Sequence, residues 1–142
     1  MKTAKRQARE IALQALYAWQ LSGGDPLDEA RSLEGFDKTD ARFVEALLRG
    51  VLDGSGRLQE LIVPHLDRKF EKLSPVERAI LCIGAFELAE RGNTPFKVVI
   101  NEAIELGKAF GGTGGHKYVN GVLEKLAAEL RPQELAVARH TA

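Results

Sequence analysis

Apolar residues recur at helical spacing along almost the whole chain. Ala8, Ala12, Ala15, Leu16 and Trp19 are separated by threes and fours, which places them on one helix face. Leu13 and Tyr17 widen that stripe, so the first helix should be well buried past its opening turns. Ser22-Gly23-Gly24-Asp25-Pro26 ends it. Residues 25–38 read as a loop with at most one short turn of helix. Thr39 or Asp40 suits the cap of a second helix, in which Phe43, Leu47, Leu48, Val51 and Leu52 form the apolar face. Gly54-Ser55-Gly56 interrupts the pattern, and Leu58, Leu61 and Ile62 mark a third, shorter helix. Pro64 should end or kink it near Leu66.

The second half is punctuated more sharply. Ser74-Pro75-Val76-Glu77 is a capping box with proline at the first helical position. Val76, Ala79, Ile80, Ile83 and Phe86 keep helical period up to Gly92, a natural stop. Thr94-Pro95 should open the next helix in the same way, lined by Val99, Ala103, Leu106 and Phe110. Gly111 to Gly115 is a glycine-rich break. A last long helix carries Val119, Val122, Leu123, Leu126 and Leu130 and stops near Arg131-Pro132. Residues 133–142 lack pattern and read as a flexible tail. No segment has period two; Val98-Val99-Ile100 is the best strand candidate but lies inside a helical pattern. No internal repeat is found. The expected fold is all-α, one domain over residues 1–132, with about six to seven helices in two packed helical subdomains around a shared core.

Composition adds little until charge is mapped. The 142 residues are 44% hydrophobic and 28% charged, an ordinary globular composition. No apolar run approaches a membrane span, and no apolar stretch follows the basic start as a signal peptide would require. Cys82 is the only cysteine, which excludes an intrachain disulfide and suits a reducing, cytoplasmic setting. It falls inside an apolar helix and reads as an inert thiol rather than a reactive one. The distribution of charge is uneven. Lys2, Lys5, Arg6 and Arg9 put four positive charges and no negative one into the first nine residues. The chain is formally neutral, so the remainder carries a net charge of minus four. A basic arm on an acidic body is an electrostatic footprint for phosphates confined to one region, although a solvated helix start has the same composition.

Candidate catalytic chemistry fails on detail. Gly111-Gly112-Thr113-Gly114-Gly115-His116-Lys117 suggests a phosphate loop, but a Walker loop needs Gly-Lys-Ser/Thr after a strand, and here His116-Lys117-Tyr118 follows a helix. Four glycines before a helix can instead expose backbone amides to an RNA phosphate, with Lys117 and Tyr118 in the first turn beyond. Glu102 and Glu105 read as solvated carboxylates on a charged face, and Glu105 with Lys108 as a surface pair. His65, His116, His140 and Cys82 lack zinc-site spacing, so neither metal nor cofactor is expected. Tyr17 and Tyr118 adjoin polar or basic residues and suit stacking with a wet hydroxyl.

Asn101-Glu102-Ala103-Ile104-Glu105-Leu106, Lys108, Phe110-Gly111 and His116-Lys117-Tyr118-Val119-Asn120-Gly121-Val122-Leu123 resemble the signature of the NusB family. Pro95 to Ile100 and Val76 to Leu81 are similar to flanking parts of the same block. Ala8-Arg9-Glu10 and Leu13 to Tyr17 resemble the family's opening helix. The resemblance covers roughly residues 4–130 and is weakest between 22 and 70.

That resemblance implies a non-enzymatic transcription antitermination factor. It would bind single-stranded boxA-type RNA together with the ribosomal protein NusE and join an RNA polymerase elongation complex, notably on ribosomal RNA operons. By resemblance the RNA surface carries to Lys2, Lys5, Arg6, Arg9, Lys117 and Tyr118, with Lys97 and Phe110 as weaker members. The protein-partner surface carries to Tyr17 and Glu77. Two rival readings stand beside it: an accessory domain of a ribosomal RNA cytosine methyltransferase, for which the chain is too short, and a helical module that binds protein alone. A homodimer burying the basic arm is a further alternative.

Overall fold

The computed structural model describes residues 2–112 and 114–141, with the backbone alone for 139–141. Thr113, part of the glycine-rich break, therefore lies outside the described residues, as does the side chain of His140. The described residues form eight α-helices and three short 3-10 turns, with no strand among them. No helix among them is long and apolar enough to cross a membrane.

Side-chain caps set the starts of α-helices one, two, three and five in chain order. Helix α1 (Ala4–Ser22) begins where the Thr3 hydroxyl accepts the Arg6 N–H at 3.0 Å. It closes at Gly23, whose φ of 74° is left-handed. The stretch expected to be mostly loop holds helix α2 (Pro26–Ser32) and a 3-10 turn at Phe36–Lys38. Asp25 accepts the Leu27 N–H at 2.9 Å, and Pro26 takes the first helical position. Of the two candidate caps for α3 (Ala41–Asp53), Asp40 takes the role and accepts the Phe43 N–H. Helix α4 (Ser55–Ile62) runs into a 3-10 turn containing Pro64, and Leu66 is extended. Helix α5 (Pro75–Glu90) has both bonds of the expected capping box between Ser74 and Glu77.

Two expectations about the second half are corrected. Helix α6 (Phe96–Phe110) starts one residue later than Thr94-Pro95 suggested, and Pro95 is its cap without a side-chain acceptor. The acceptor comes from far along the chain: the Glu134 carboxylate takes the Phe96 N–H at 2.7 Å. Glu134 lies on α8 (Pro132–Thr141), where the sequence suggested patternless chain. Burial raises the Glu134 carboxyl, but the Phe96 N–H and the Arg131 guanidinium outweigh it and hold it below its ordinary pKa. Arg131, just before α8, donates to the carbonyls of Glu87, Leu88, Arg91 and Thr94 at 2.8–3.1 Å. Among them, the Leu88 carbonyl lies in the last turn of α5, where carbonyls lack intrahelical donors.

Helix α5 is central and touches α1, α3, α4, α6 and α7. Leu13, Leu16, Leu47, Leu48, Ile80 and Leu123 are among the fully buried side chains of one continuous core. Helices α1, α3 and α4 pack on α5 with α2 against α1 and α3, and α6 and α7 (Gly115–Leu130) pack on α5 and on each other, as the two-part reading expected. Glycine permits a close contact on that second side. A Cβ at Gly107 of α6 would lie 2.9 Å from the His116 Cα of α7. Trp19 departs from its expected core position and is 38% exposed.

Candidate nucleic-acid interface

Folding lays the basic arm against α6, and most of its charge is then matched. Lys2 pairs with Glu10 at 2.8 Å. Arg6 makes a two-point contact with Glu102, Nε to Oε1 at 3.1 Å and Nη2 to Oε2 at 2.6 Å. The carboxylate's hydrogen bond and charge raise the Arg6 pKa above its ordinary value. Arg9 faces inward with only 4% of its surface exposed. Its guanidinium holds both oxygens of Glu87 at 2.8 and 2.9 Å and reaches Glu102 at 3.4 Å. Glu102 is thus buried under two arginines rather than solvated, whereas Glu105 and Lys108 are the surface pair expected, 4.0 Å apart. No buried side-chain polar atom among the described residues lacks a partner.

Arg9 and Glu87 show a signal that the charge count hid. Arg9, Ala12, Leu13 and Leu16 share one face, and Glu87 follows Ile80 and Ile83 on the buried face of α5. A charge on a buried stripe needs an opposite charge there too, so the pair was foreshadowed by helical phase. Lys5 stands apart from the other arm cations. It has no carboxylate partner among the described residues, and its Nζ lies 5.3 Å from the centroid of the Phe43 ring. A groove of about 460 Å³ opens beside it. Thr3, Lys5 and Arg6 form one wall, Asn93, Thr94 and Val98 the other.

Helix α6 carries the surface onward. The Arg6–Glu102 pair fixes α1 on one flank, and the Gly107–His116 approach fixes α7 on the other. Between them Lys97, Asn101, Glu105 and Lys108 follow at spacings of four, four and three, so they share the open face. Val98 is exposed alongside, and Phe110 is exposed at the helix end. Asn101 and Lys108 on this strip were not assigned a binding role by the sequence reading.

Helix α7 opens at Gly114, which has a φ of 81°, so its left-handed backbone suits glycine. Lys117 is exposed in the first turn and Tyr118 is half-buried. The Arg68 guanidinium covers the Tyr118 ring at 4.3 Å from its centroid, and the Asp67 N–H donates to the phenol oxygen at 3.4 Å. Burial raises the Tyr118 pKa, while hydrogen bonds from Arg68 and Tyr118 lower that of Asp67. One ring face is therefore already stacked on a guanidinium, itself a plane on which a base can stack. Lys117 and Lys125 flank a groove of about 340 Å³ next to this pair.

Tyr17 and Glu77 lie away from the arm groove, on elements tied together by Gln20. Its amide donates to the Pro75 carbonyl at 2.8 Å and its oxygen accepts from Arg78 at 2.9 Å. Tyr17 is 40% exposed, next to exposed Trp19 and Leu21. Glu77 is half-buried, with one oxygen committed to the capping box. An apolar groove of about 370 Å³ opens nearby, lined by Leu16, Trp19, Phe70, Ala79 and Cys82. Burial pushes the Cys82 thiol up to about 11, slightly offset by Arg78, in keeping with an inert role.

Comparison with known proteins agrees with this architecture. The sequence profile described as the NusB family matches residues 6–128. The protein named transcription antitermination protein NusB from Dechloromonas aromatica (strain RCB) is 52% identical over 141 residues, covering 97% of this chain and 86% of that protein. Its counterpart in Paraburkholderia phytofirmans (strain DSM 17436 / LMG 22146 / PsJN) is 53% identical over 142 residues, covering 98% and 99%. The solved T. maritima NusB structure superposes with a TM-score of 0.82 at 27% identity, covering 96% of this chain and 99% of that one. A crystal structure of the antitermination factors NusB and NusE with double-stranded RNA has a TM-score of 0.79 at 23% identity. It covers 91% of this chain and 99% of that one, and supports the fold.

Proposed function

From the premise that this chain belongs to the NusB family, we propose that it is a non-enzymatic transcription antitermination factor of the cytoplasm that binds single-stranded boxA-type RNA. It does so together with the ribosomal protein NusE. The assembly then joins an RNA polymerase elongation complex, notably on ribosomal RNA operons. One observation carries the RNA part. Helix α6 joins two basic poles, with the arm on one flank, the Lys117–Tyr118 turn on the other and the Lys97–Lys108 strip between them.

In this reading the strand enters by the groove beside Lys5 and Arg6, crosses Lys97, and reaches Lys117, Phe110 and Tyr118. Lysines and arginines take phosphates, and the Tyr118–Arg68 stack receives a base. Lys2 and Arg6 contribute by exchanging their carboxylates for phosphates. Arg9 contributes by fixing the helix that carries them, since its own guanidinium is saturated. Tyr17, Glu77 and the exposed aromatic edge of α1 form the face for the ribosomal protein. The acidic charge of the body suits that basic partner.

Fluorescence anisotropy with a labelled boxA-like strand, a base-permuted strand and a duplex tests the reading. Tighter binding to the boxA-like strand, strengthened by the NusE-type protein, is the expected result. Equal or absent binding to all three would overturn RNA recognition. Preference for the duplex would replace the single-stranded ligand with the double-stranded one.

A further inference from the structure

Three cations converge on one phenylalanine. The Arg9 guanidinium carbon lies 5.0 Å from the centroid of the Phe43 ring, and Lys5 Nζ and the Arg91 guanidinium carbon each lie 5.3 Å from it. Arg9 is neutralised by Glu87 and Glu102. Lys5 and Arg91 have no carboxylate partner among the described residues, and the Arg91 side chain donates to no acceptor there. The bonds that Arg91 makes are through its backbone: its N–H donates to the Glu87 carbonyl, and its carbonyl accepts from Thr94 and Arg131. Two uncompensated positive charges are thus held within about one Debye length of each other at ordinary salt.

The scaffold holds them there at a cost in repulsion. Lys5 is on α1, set in register by the buried Arg9–Glu87 pair one turn along the helix. Arg91 ends α5, and its turn is fixed by the Arg131 bond. Phe43 is a core residue that offers both side chains an aromatic surface and no counter-charge. Arg91 is followed by Asn93 and Thr94, which wall the groove on the side opposite Lys5. Lys5 lines that groove and Arg91 stands just before its far wall in the chain, so a phosphate taken between the two cations would relieve their repulsion.

We infer that Lys5 and Arg91 together form a phosphate-binding site for the RNA backbone, beside the groove lined by Asn93 and Thr94. The inference rests on the RNA reading above and adds to it a cation from the end of α5, outside the basic arm. Because a phosphate contact carries no base information, Arg91 contributes affinity without sequence preference.

The test is anisotropy of labelled boxA-like and base-permuted strands at several salt concentrations, at a temperature where circular dichroism shows every variant folded. Arg91→Gln, Arg91→Met and Lys5→Gln are compared with Arg57→Gln, a nearby arginine already paired with Glu90. Arg91→Met keeps an apolar stem over Phe43 and removes only the charge. Both Arg91 variants and Lys5→Gln should weaken the two strands by the same factor. Each should lower the slope of log affinity against log salt by about 0.7, the loss of one single-strand phosphate. Arg57→Gln should behave as wild type. Arg91 variants that keep the wild-type slope, or that lose affinity for one strand only, would overturn the site while leaving RNA binding intact. Wild-type protein that binds neither strand would overturn the RNA reading itself, and this site with it.

Discussion

Arg9 and Glu87, 78 residues apart, form a two-point ion pair with both side chains almost wholly removed from water. It bolts the basic end of α1 to the central helix α5. An arginine that the charge distribution placed in the basic arm is thereby a buried structural residue.

Removing one member strands the other's charge in the core. Arg9→Met should destabilise the protein by about 3–5 kcal/mol, whereas Arg9→Met with Glu87→Met should recover much of the loss, because an apolar pair of similar volume is often neutral. Urea unfolding of the two single variants and the double variant gives the coupling. An Arg9→Met variant within about 1 kcal/mol of wild type would show that the pair adds little.

Glu102 holds Arg6 as a phosphate would. Glu102→Gln preserves shape, withdraws the counter-charge and turns one of the two acceptors into a donor, so Arg6 should become available to RNA. The salt slope should steepen by about 0.7 log units and affinity should rise. An unchanged slope would mean that Arg6 makes no phosphate contact.

Helix α8 caps α6 through Glu134, and the cap depends on charge. The folded-state pKa of Glu134 is lowered, so its contribution is present above the unfolded value of about 4.3 and is lost as pH falls through the folded value. Glu134→Gln should therefore melt lower than wild type near about pH 7, and the gap should close on acidification towards about pH 3. Melting curves across that range check this; a gap that is constant with pH would leave the charge without a role.

Cys82 should be slow to react in the folded protein. Its pKa is pushed up to about 11 by burial, so thiolate is scarce near about pH 8. Alkylation by iodoacetamide should be slow in native protein at that pH and fast once denaturant exposes the thiol. Equal rates in the two states would show that the apolar groove around Cys82 opens freely.

Secondary structure was largely legible because its causes are local. Ser74 and Glu77 predict their own capping box, and Asp40 is a cap three residues from the amide it serves. Leu47, Leu48 and Leu123 announce buried faces by spacing alone. The start of α6 was misplaced because the acceptor for Phe96 belongs to Glu134, 38 residues away. Helix α8 was missed for a related reason: its pattern is weak, and Leu135 is ordered by packing on the core rather than by a stripe of its own.

The sequence by itself determined that this chain is all-α, where most helices begin, and that positive charge gathers at its start. These follow from side-chain chemistry acting over a turn or two of backbone. Only the tertiary structure decided which of those charges face solvent. Arg9 turns inward to Glu87, Arg6 is matched by Glu102, and Lys5 meets Arg91 across Phe43. Helical phase can say that a charge lies on a buried face. Its partner is chosen by the packing of helices far apart in the chain, because a buried charge is stable only where that packing brings an opposite one within bonding distance.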